Sequence, residues 1–210
     1  MSVRVLLVDD FELVRAGLRM ALETMPGLEI VGEAADGAAG AAEAERLRPD
    51  VVLMDVRMPE LDGIGATRRI AALDGPPVRV LLLSTFDLEE YLVEGVRAGI
   101  SGITLKDTPP DELAEGIRAL ARGDALVDPE TTVRLIAALT RTQAAPVAPP
   151  ELDGLTERER AVLAQVARGR SDAEIDGADA GAEVAAVLAK LGARDRIQAV
   201  LLAHEARAVG

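Results

Sequence analysis

Cysteine is absent from this 210-residue sequence, and its absence removes disulfides, thiolate metal sites and cysteine nucleophiles together. Positive charge is scarce: 23 Lys and Arg face 36 Asp and Glu, a net charge of −13 that opposes general attraction to nucleic acid or to an anionic membrane. Any contact with DNA must therefore come from a local basic patch. Lysine in particular is almost missing, with Lys106 and Lys190 the only two. No apolar run approaches the roughly 20 residues that span a bilayer. The start, Met1 to Asp10, places two acids directly behind a short apolar run, where a secretory signal would carry a longer apolar core and a cleavage site. These absences lead to the expectation of a soluble, cytoplasmic protein with no membrane partner.

The length suits one domain of ordinary size and a smaller one, each able to bury a core. From Val3 to about Arg122 short apolar runs alternate with amphipathic stretches, the pattern of a parallel sheet with helices on both faces. The runs predict five strands, at Arg4 to Val8, Glu29 to Gly32, Val51 to Met54, Arg79 to Leu83 and Gly102 to Leu105, with five helices in alternation. Pro49-Asp50 and Gly75-Pro-Pro77 punctuate the approaches to the third and fourth strands, and Pro109-Pro110 lies just ahead of the fifth helix. Residues 1–122 thus form a doubly wound α/β domain. Residues 123–150 read as a linker, with one helix from Pro129 to Thr140 and then Gln143-Ala-Ala-Pro-Val-Ala-Pro-Pro150, whose three prolines favour an extended spacer. Residues 151–210 form a small all-α domain. Thr156 with Glu159 makes a capping box for a helix to about Arg168, and Arg196 to Ala206 closes the chain as a second strong helix.

Open α/β sheets bind their ligands at the carboxyl ends of the strands. The residues there are Asp9 and Asp10, Asp55, Ser84 and Lys106. A nucleotide-binding sheet would carry glycines after its first strand so that a pyrophosphate could approach; two carboxylates stand there instead. Converging aspartates with a backbone carbonyl suit Mg²⁺, which takes oxygen ligands and keeps several waters. Without a cation such carboxylates repel, so at least one should resist ionising. With one, Asp55 can act as a carboxylate nucleophile toward a phosphoryl group. Lys106, a compact point charge in a chain that otherwise uses arginine, is the natural counter-charge. Taken singly, an aspartate at a strand end is most often a helix cap or a turn residue. Capping does not predict the joint pattern.

Val5-Leu-Leu-Val-Asp-Asp10, Pro49-Asp-Val-Val-Leu-Met-Asp-Val-Arg-Met-Pro59 with Leu61-Asp-Gly63, Leu83-Ser-Thr-Phe-Asp87 and Leu105-Lys-Asp-Thr-Pro-Pro110 resemble the receiver domain of LuxR/NarL-type two-component response regulators. The resemblance covers residues 3 to 122 and implies the flavodoxin-like fold with its five-stranded parallel sheet. It further implies that Asp55 is the phosphoacceptor, that Asp10, Asp55 and the backbone carbonyl of Arg57 hold Mg²⁺ with Asp9 assisting through water, that the Ser84 hydroxyl follows the phosphoryl group, and that Lys106 binds it. Arg57 and Phe86 would border the path of the water that removes it. Such a receiver is no enzyme toward outside substrates; it catalyses only its own phosphorylation and dephosphorylation. Receivers commonly carry an aromatic three residues before the lysine, and here Ile103 stands there, which leaves two readings: an altered switch, or an isoleucine that simply packs.

Leu155-Thr-Glu-Arg-Glu-Arg160 with Val162-Leu163, Arg170-Ser-Asp-Ala-Glu-Ile175, Leu188-Ala-Lys-Leu-Gly192 and Arg194-Asp-Arg-Ile-Gln-Ala-Val200 resemble the LuxR-type helix-turn-helix domain, whose role is control of transcription. The middle departs from it. Asp176-Gly-Ala-Asp-Ala-Gly-Ala-Glu183 is shorter than that family's scaffold and recognition helices require by roughly six residues, or about 9 Å of helix. Gly177 and Gly181 weaken helix there. Ser171 to Ala189 holds five acids and neither Lys nor Arg, which opposes docking on phosphates. Arg168, Arg170, Arg194 and Arg196 could touch a phosphate backbone, though solvated helix ends explain them as well. His204 is the only histidine, so the phosphoryl group must come from a partner, a sensor histidine kinase by the resemblance. The last helix carries Ile197, Val200 and Leu201 as an apolar stripe, either core or the pairing surface of a homodimer.

The expectation is a Mg²⁺-dependent phosphoacceptor switch controlling transcription, with DNA as a partner opposed by the acidic middle. The alternative is a switch that controls dimerisation or a protein partner without touching DNA. An aspartyl phosphohydrolase would want a second carboxylate two residues after the nucleophile, where Arg57 stands.

Overall fold

The computed structural model describes residues 2–85, 88–123, 154–168, 170, 174–175, 179–193 and 195–205, and the chain divides into two compact units, Met1–Leu126 and Val127–Gly210. The expected linker helix, the proline-bearing spacer, Phe86 and Arg194 lie outside the described residues, as does the side chain of His204.

In the first unit strands and helices alternate as β1 (Val3–Val8), α1 (Glu12–Glu23), β2 (Leu28–Ala34), α2 (Gly37–Leu47), β3 (Val51–Asp55), α3 (Gly63–Ala71), β4 (Arg79–Ser84), α4 (Leu88–Ala98), β5 (Gly102–Leu105) and α5 (Pro110–Arg122). The strands form one parallel sheet in the order β2-β1-β3-β4-β5. Because helices cover both faces, the inner strands carry unbroken apolar runs, Val5 to Val8, Val51 to Met54 and Val80 to Leu83, instead of alternating. Val5, Leu7, Val51, Leu53, Leu81 and Leu83 pack on one face against Leu113, Ile117 and Leu120 of α5 and Leu22 of α1. Leu6, Val8, Val52, Met54 and Leu82, which alternate with them along the strands, are equally buried. β2 runs two residues beyond its expected end because Glu33 and Ala34 pair with Leu7 and Val8. A charged residue at an edge strand hides that continuation from a hydrophobic pattern. Pro110 is the first residue of α5, where a missing N–H costs nothing, and Gly123 ends the helix at a φ of 91°.

Order reverses between β1 and β3, and the crevice at that reversal, beyond the carboxyl ends of the two strands, is where such sheets bind ligands. Two other aspartates of this unit do serve as caps: Asp36 accepts from the Ala39 N–H at 2.8 Å to open α2, and Asp62 accepts from the Gly65 N–H at 2.6 Å to open α3. Asp9, Asp10 and Asp55 cap no helix; the N-cap of α1 is Phe11, which offers no side-chain cap. A Cβ on Gly63 would stand 2.1 Å from the carbonyl oxygen of Asp55, so glycine alone lets α3 start directly behind that residue.

The second unit contains α6 (Glu157–Ala167), α7 (Ala180–Leu191) and α8 (Arg196–Glu205) among its described residues. The capping box forms as its sequence predicts: Thr156 Oγ1 accepts from the Glu159 N–H, and the Glu159 carboxylate accepts from the Thr156 N–H at 2.8 Å. Val162, Leu163 and Val166 of α6, Val184 and Val187 of α7, and Ile197, Val200 and Leu201 of α8 are buried. The apolar stripe of the last helix is therefore core of this unit. α7 keeps 12 residues despite Gly181, because that glycine falls in the first turn behind Asp179, whose side chain accepts from the Ala182 N–H. Among the described residues no helix is long and apolar enough to cross a membrane.

Candidate functional site

The fold places the five expected residues at four neighbouring strand ends. Asp9 and Asp10 follow β1, Asp55 is the last residue of β3, Ser84 the last of β4, and Lys106 follows β5. Parallel register aligns them: Asp55 lies opposite Leu83 and Ser84 opposite Leu105, so β1, β3 and β4 each present a polar residue one step past the last buried apolar one, and Lys106 follows the end of β5. Asp9, Asp55 and Ser84 are buried, and one carboxylate oxygen from each of Asp9, Asp10 and Asp55 lies within 4.8 Å of the others.

Lys106 crosses 97 residues of sequence to reach this cluster. Its Nζ donates to Asp9 Oδ2 at 2.5 Å and stands 3.1 Å from Asp55 Oδ1. The other oxygen of Asp9 accepts from the Phe11 N–H at 3.0 Å, and its backbone carbonyl accepts from Arg15 Nη1 at 2.7 Å. Asp9 thus serves both as a turn residue and as the anchor of the lysine. Burial holds the Asp55 carboxyl above its ordinary range, and the nearby Asp9 charge adds to this; Lys106 and the Arg57 N–H, which donates to it, pull the other way. The expected resistance of one carboxyl to ionisation falls on Asp55, with desolvation as its first cause and like-charge repulsion a lesser one.

Asp10 Oδ1 is buried and has no hydrogen-bond partner. A buried carboxylate oxygen without a donor costs free energy that a cation beside it would recover. Three carboxylates, an unpartnered oxygen and no soft ligand make a donor set that fits a hard divalent cation such as Mg²⁺. Ile103 is buried in the core. The Phe11 side chain, directly after Asp10, is 64% exposed. In the second unit Arg170 donates to Gln165 Oε1 at 3.3 Å and Arg196 donates to the Arg170 carbonyl, so both have structural partners.

Residues 5–118 match the family described as the response regulator receiver domain. The chain is 40% identical over 209 residues to the uncharacterized transcriptional regulatory protein YxjL of Bacillus subtilis, an alignment that covers 96% of this chain and 95% of that protein. It is 35% identical over 212 residues to the response regulator protein VraR of Staphylococcus aureus, with 98% of each covered. Among solved structures it is similar to the receiver domain of NarL from Mycobacterium tuberculosis, with a TM-score of 0.56 and 35% identity over 58% of this chain and 98% of that one. It is also similar to the response regulator ChrA of a heme-sensing two-component system, with a TM-score of 0.54 and 31% identity over 99% of both chains.

Proposed function

This chain belongs to the response regulators of two-component systems, in the LuxR-type group of transcriptional regulators, and on that premise we propose that Asp55 is its phosphoacceptor. The observation that carries the proposal is the grip of Lys106 on Asp9 and Asp55 beside the unpartnered oxygen of Asp10. A carboxylate oxygen of Asp55 forms the new O–P bond while the bond from phosphorus to the donor nitrogen breaks, the electron pair staying with that nitrogen. The donor is a phosphohistidine of a sensor kinase, since His204 is the only histidine of this chain.

Lys106 stands close enough to Asp55 to neutralise the phosphoryl oxygens as they arrive, and to the hydroxyl of Ser84, at the end of the neighbouring strand, we assign the role of following the acquired group. Asp10, Asp55 and the backbone carbonyl of Arg57 are the ligands we assign to Mg²⁺, with Asp9 assisting through water. Mg²⁺ supplies the positive charge that lets three carboxylates and a phosphoryl group share one pocket. The reaction is the chain's own phosphorylation and dephosphorylation, performed in the cytoplasm, and not the turnover of an outside substrate. Intact-mass measurement after incubation with Mg²⁺ and acetyl phosphate tests this: the full chain gains one phosphoryl group, Asp55→Asn gains none and Lys106→Arg gains it more slowly. Equal labelling of Asp55→Asn rejects the assignment.

For the output the structure favours a second reading, a switch that acts on a protein partner or a second copy instead of DNA. Of the three cations on α6 and α7, two are held by acids and one by a carbonyl: Arg158 makes two hydrogen bonds to Glu183, at 3.0 and 2.7 Å, Lys190 donates to Glu159 at 2.8 Å, and Arg160 donates to the Leu155 carbonyl at 3.2 Å. The exposed positions of α7 are Gly181, Ala182, Ala185, Ala186, Ala189 and Lys190. Alanines offer no donor to a base edge. Residues 1–122 as receiver, 123–150 as linker and 151–210 as output is the division this reading uses.

A further inference from the structure

We infer that Arg15 is a positioning residue for the cation of the phosphoacceptor pocket: its guanidinium fixes the peptide between Asp9 and Asp10 and so sets where the Asp10 carboxylate points. The inference rests on the reading of that pocket as a Mg²⁺ site. Arg15 lies on α1, outside the group of carboxylates, and reaches it only through the backbone: its Nη1 donates to the Asp9 carbonyl at 2.7 Å. That carbonyl belongs to the peptide bond whose nitrogen is that of Asp10. The backbone N–H of the same arginine donates to the Phe11 carbonyl at 3.1 Å, and the Phe11 N–H donates to Asp9 Oδ1. Asp10 is therefore bracketed by one residue, with the Arg15 side chain on the carbonyl before it and the Arg15 main chain on the carbonyl after it. Oδ1 of Asp10 is buried with no donor of its own, so its direction comes from this backbone.

The edge strand supplies the second, independent observation. β2 continues past its apolar run through Glu33 and Ala34. The Ala34 carbonyl accepts from the Asp9 N–H at 3.2 Å, and Glu33 Oε2 accepts from Arg15 Nε at 3.3 Å. These two residues thus hold both ends of the Asp9 backbone, one directly and one through the arginine. A planar guanidinium serves both partners at once, Nε on Glu33 and Nη1 on Asp9, which a single ammonium does not. The Arg15 side chain is 14% exposed against 35% for Arg19, so solvent screens its contacts less.

Charge decides whether an arginine can do this without harming the site. A cation with no counter-charge this close to Asp9 and Asp10 would compete with a metal for their pull. Glu33 pairs with both Arg15 and Arg19, and Arg19 pairs also with Glu23, so two arginines meet two glutamates and the arrangement adds no net charge. Arg15 holds the peptide and leaves the attraction of the carboxylates for a divalent ion undiminished. Arg19 is the natural control. It is the stronger partner of Glu33, holding that carboxyl below its usual range ahead of Arg15, yet its own hydrogen bonds go to Glu33 and Glu23 and not to Asp9.

The test titrates the full chain with Mg²⁺ alone, without phosphodonor, and reads affinity by calorimetry. Groups that orient a metal's ligands typically contribute about 10–100-fold in affinity, and one hydrogen bond to a backbone carbonyl belongs at the low end. Arg15→Ala therefore binds Mg²⁺ about tenfold more weakly than the wild type, while Arg19→Ala, which breaks the larger share of the same ion-pair network, stays within about twofold. With acetyl phosphate the loss in Arg15→Ala lies in the Mg²⁺ needed for half-maximal rate; the rate at saturating Mg²⁺ is restored, because Asp55 and Lys106 are untouched. In metal-free protein the NMR signal of the Asp10 amide nitrogen moves in Arg15→Ala and stays in Arg19→Ala. Arg15→Ala binding Mg²⁺ as tightly as the wild type overturns the inference, as does an equal weakening in Arg19→Ala, which would leave Arg15 only the role of tying α1 to β2. A wild type with no affinity for Mg²⁺ overturns it together with the metal reading on which it rests, a result distinct from equal affinity in the two proteins.

Discussion

Replacing Asp10 with alanine should stabilise the metal-free protein and abolish its response to Mg²⁺. Oδ1 of Asp10 is buried without a donor, and an unsatisfied buried acceptor costs about 1–3 kcal/mol. The rest of the residue is only half-buried, so water reaches the carboxyl and the low end, about 1 kcal/mol, applies. For a unit of this size that corresponds to a rise of about 4 °C in melting temperature. Mg²⁺ works in the other direction, because a ligand bound only by the native state stabilises it by RT ln(1 + [L]/Kd), about 1.4 kcal/mol at ten times Kd. In EDTA, Asp10→Ala melts above the wild type; in excess Mg²⁺ the wild type rises by about 6 °C and overtakes it. Calorimetry on the full chain is the suitable assay. The two units need not melt together, and there is no tryptophan to follow by fluorescence. A lower melting temperature of Asp10→Ala in EDTA, or equal stabilisation of both proteins by Mg²⁺, would refute the assignment of the orphaned oxygen to a cation.

Four further outcomes follow from the same structure. Asp55 has its pKa raised in the folded state, so in metal-free protein its ionised form destabilises the fold at neutral pH, and that cost is relieved as pH falls through the raised pKa toward the ordinary 3.8; Asp55→Asn therefore raises the melting temperature at pH 7 and loses this advantage in acid. Glu159 is lowered to about 2, first by Lys190 and then by the Thr156 N–H, so its contribution to the second unit is present above about pH 4.5 and is lost as pH falls toward 2. Carboxylate titration by NMR reads it directly, and Lys190→Ala should raise the value. Thr156→Ala removes the cap as well and lowers the stability of the α6 unit by about 1 kcal/mol, measured as helical signal in urea. Mobility-shift and footprinting assays with the phosphorylated chain should show no sharp site, only weak binding that falls steeply between two salt concentrations; a salt-tolerant footprint would restore DNA as the partner.

The receiver was legible because its chemistry sits one residue past each apolar run, at positions a strand pattern locates to within a residue or two. Asp9, Asp10, Asp55, Ser84 and Lys106 could be read together without knowing a single distance. Their division of labour could not. That Asp9 anchors Lys106 and turns the chain at Phe11, while Asp10 keeps an oxygen with no donor, depends on side-chain directions that spacing does not encode. The end of β2 was hidden by Glu33, whose charge is held by Arg15 and Arg19 of α1. The length of α7 was hidden by Gly181, which reads as a helix breaker until Asp179 is seen to cap the turn that contains it. The stripe on α8 illustrates the opposite limit: Ile197, Val200 and Leu201 fit a core and a dimer seam equally well until burial decides.

The central claim is that one particular carboxylate in the pocket carries the phosphoryl group. Borohydride reduces an acyl phosphate to an alcohol and releases phosphate, which leaves homoserine at the modified aspartate. The full chain should be treated with Mg²⁺ and acetyl phosphate, reduced, digested and sequenced by mass spectrometry. Homoserine at position 55 and nowhere else is the predicted result; homoserine at position 9 or 10, or a phosphoryl group that survives reduction on another side chain, would contradict it.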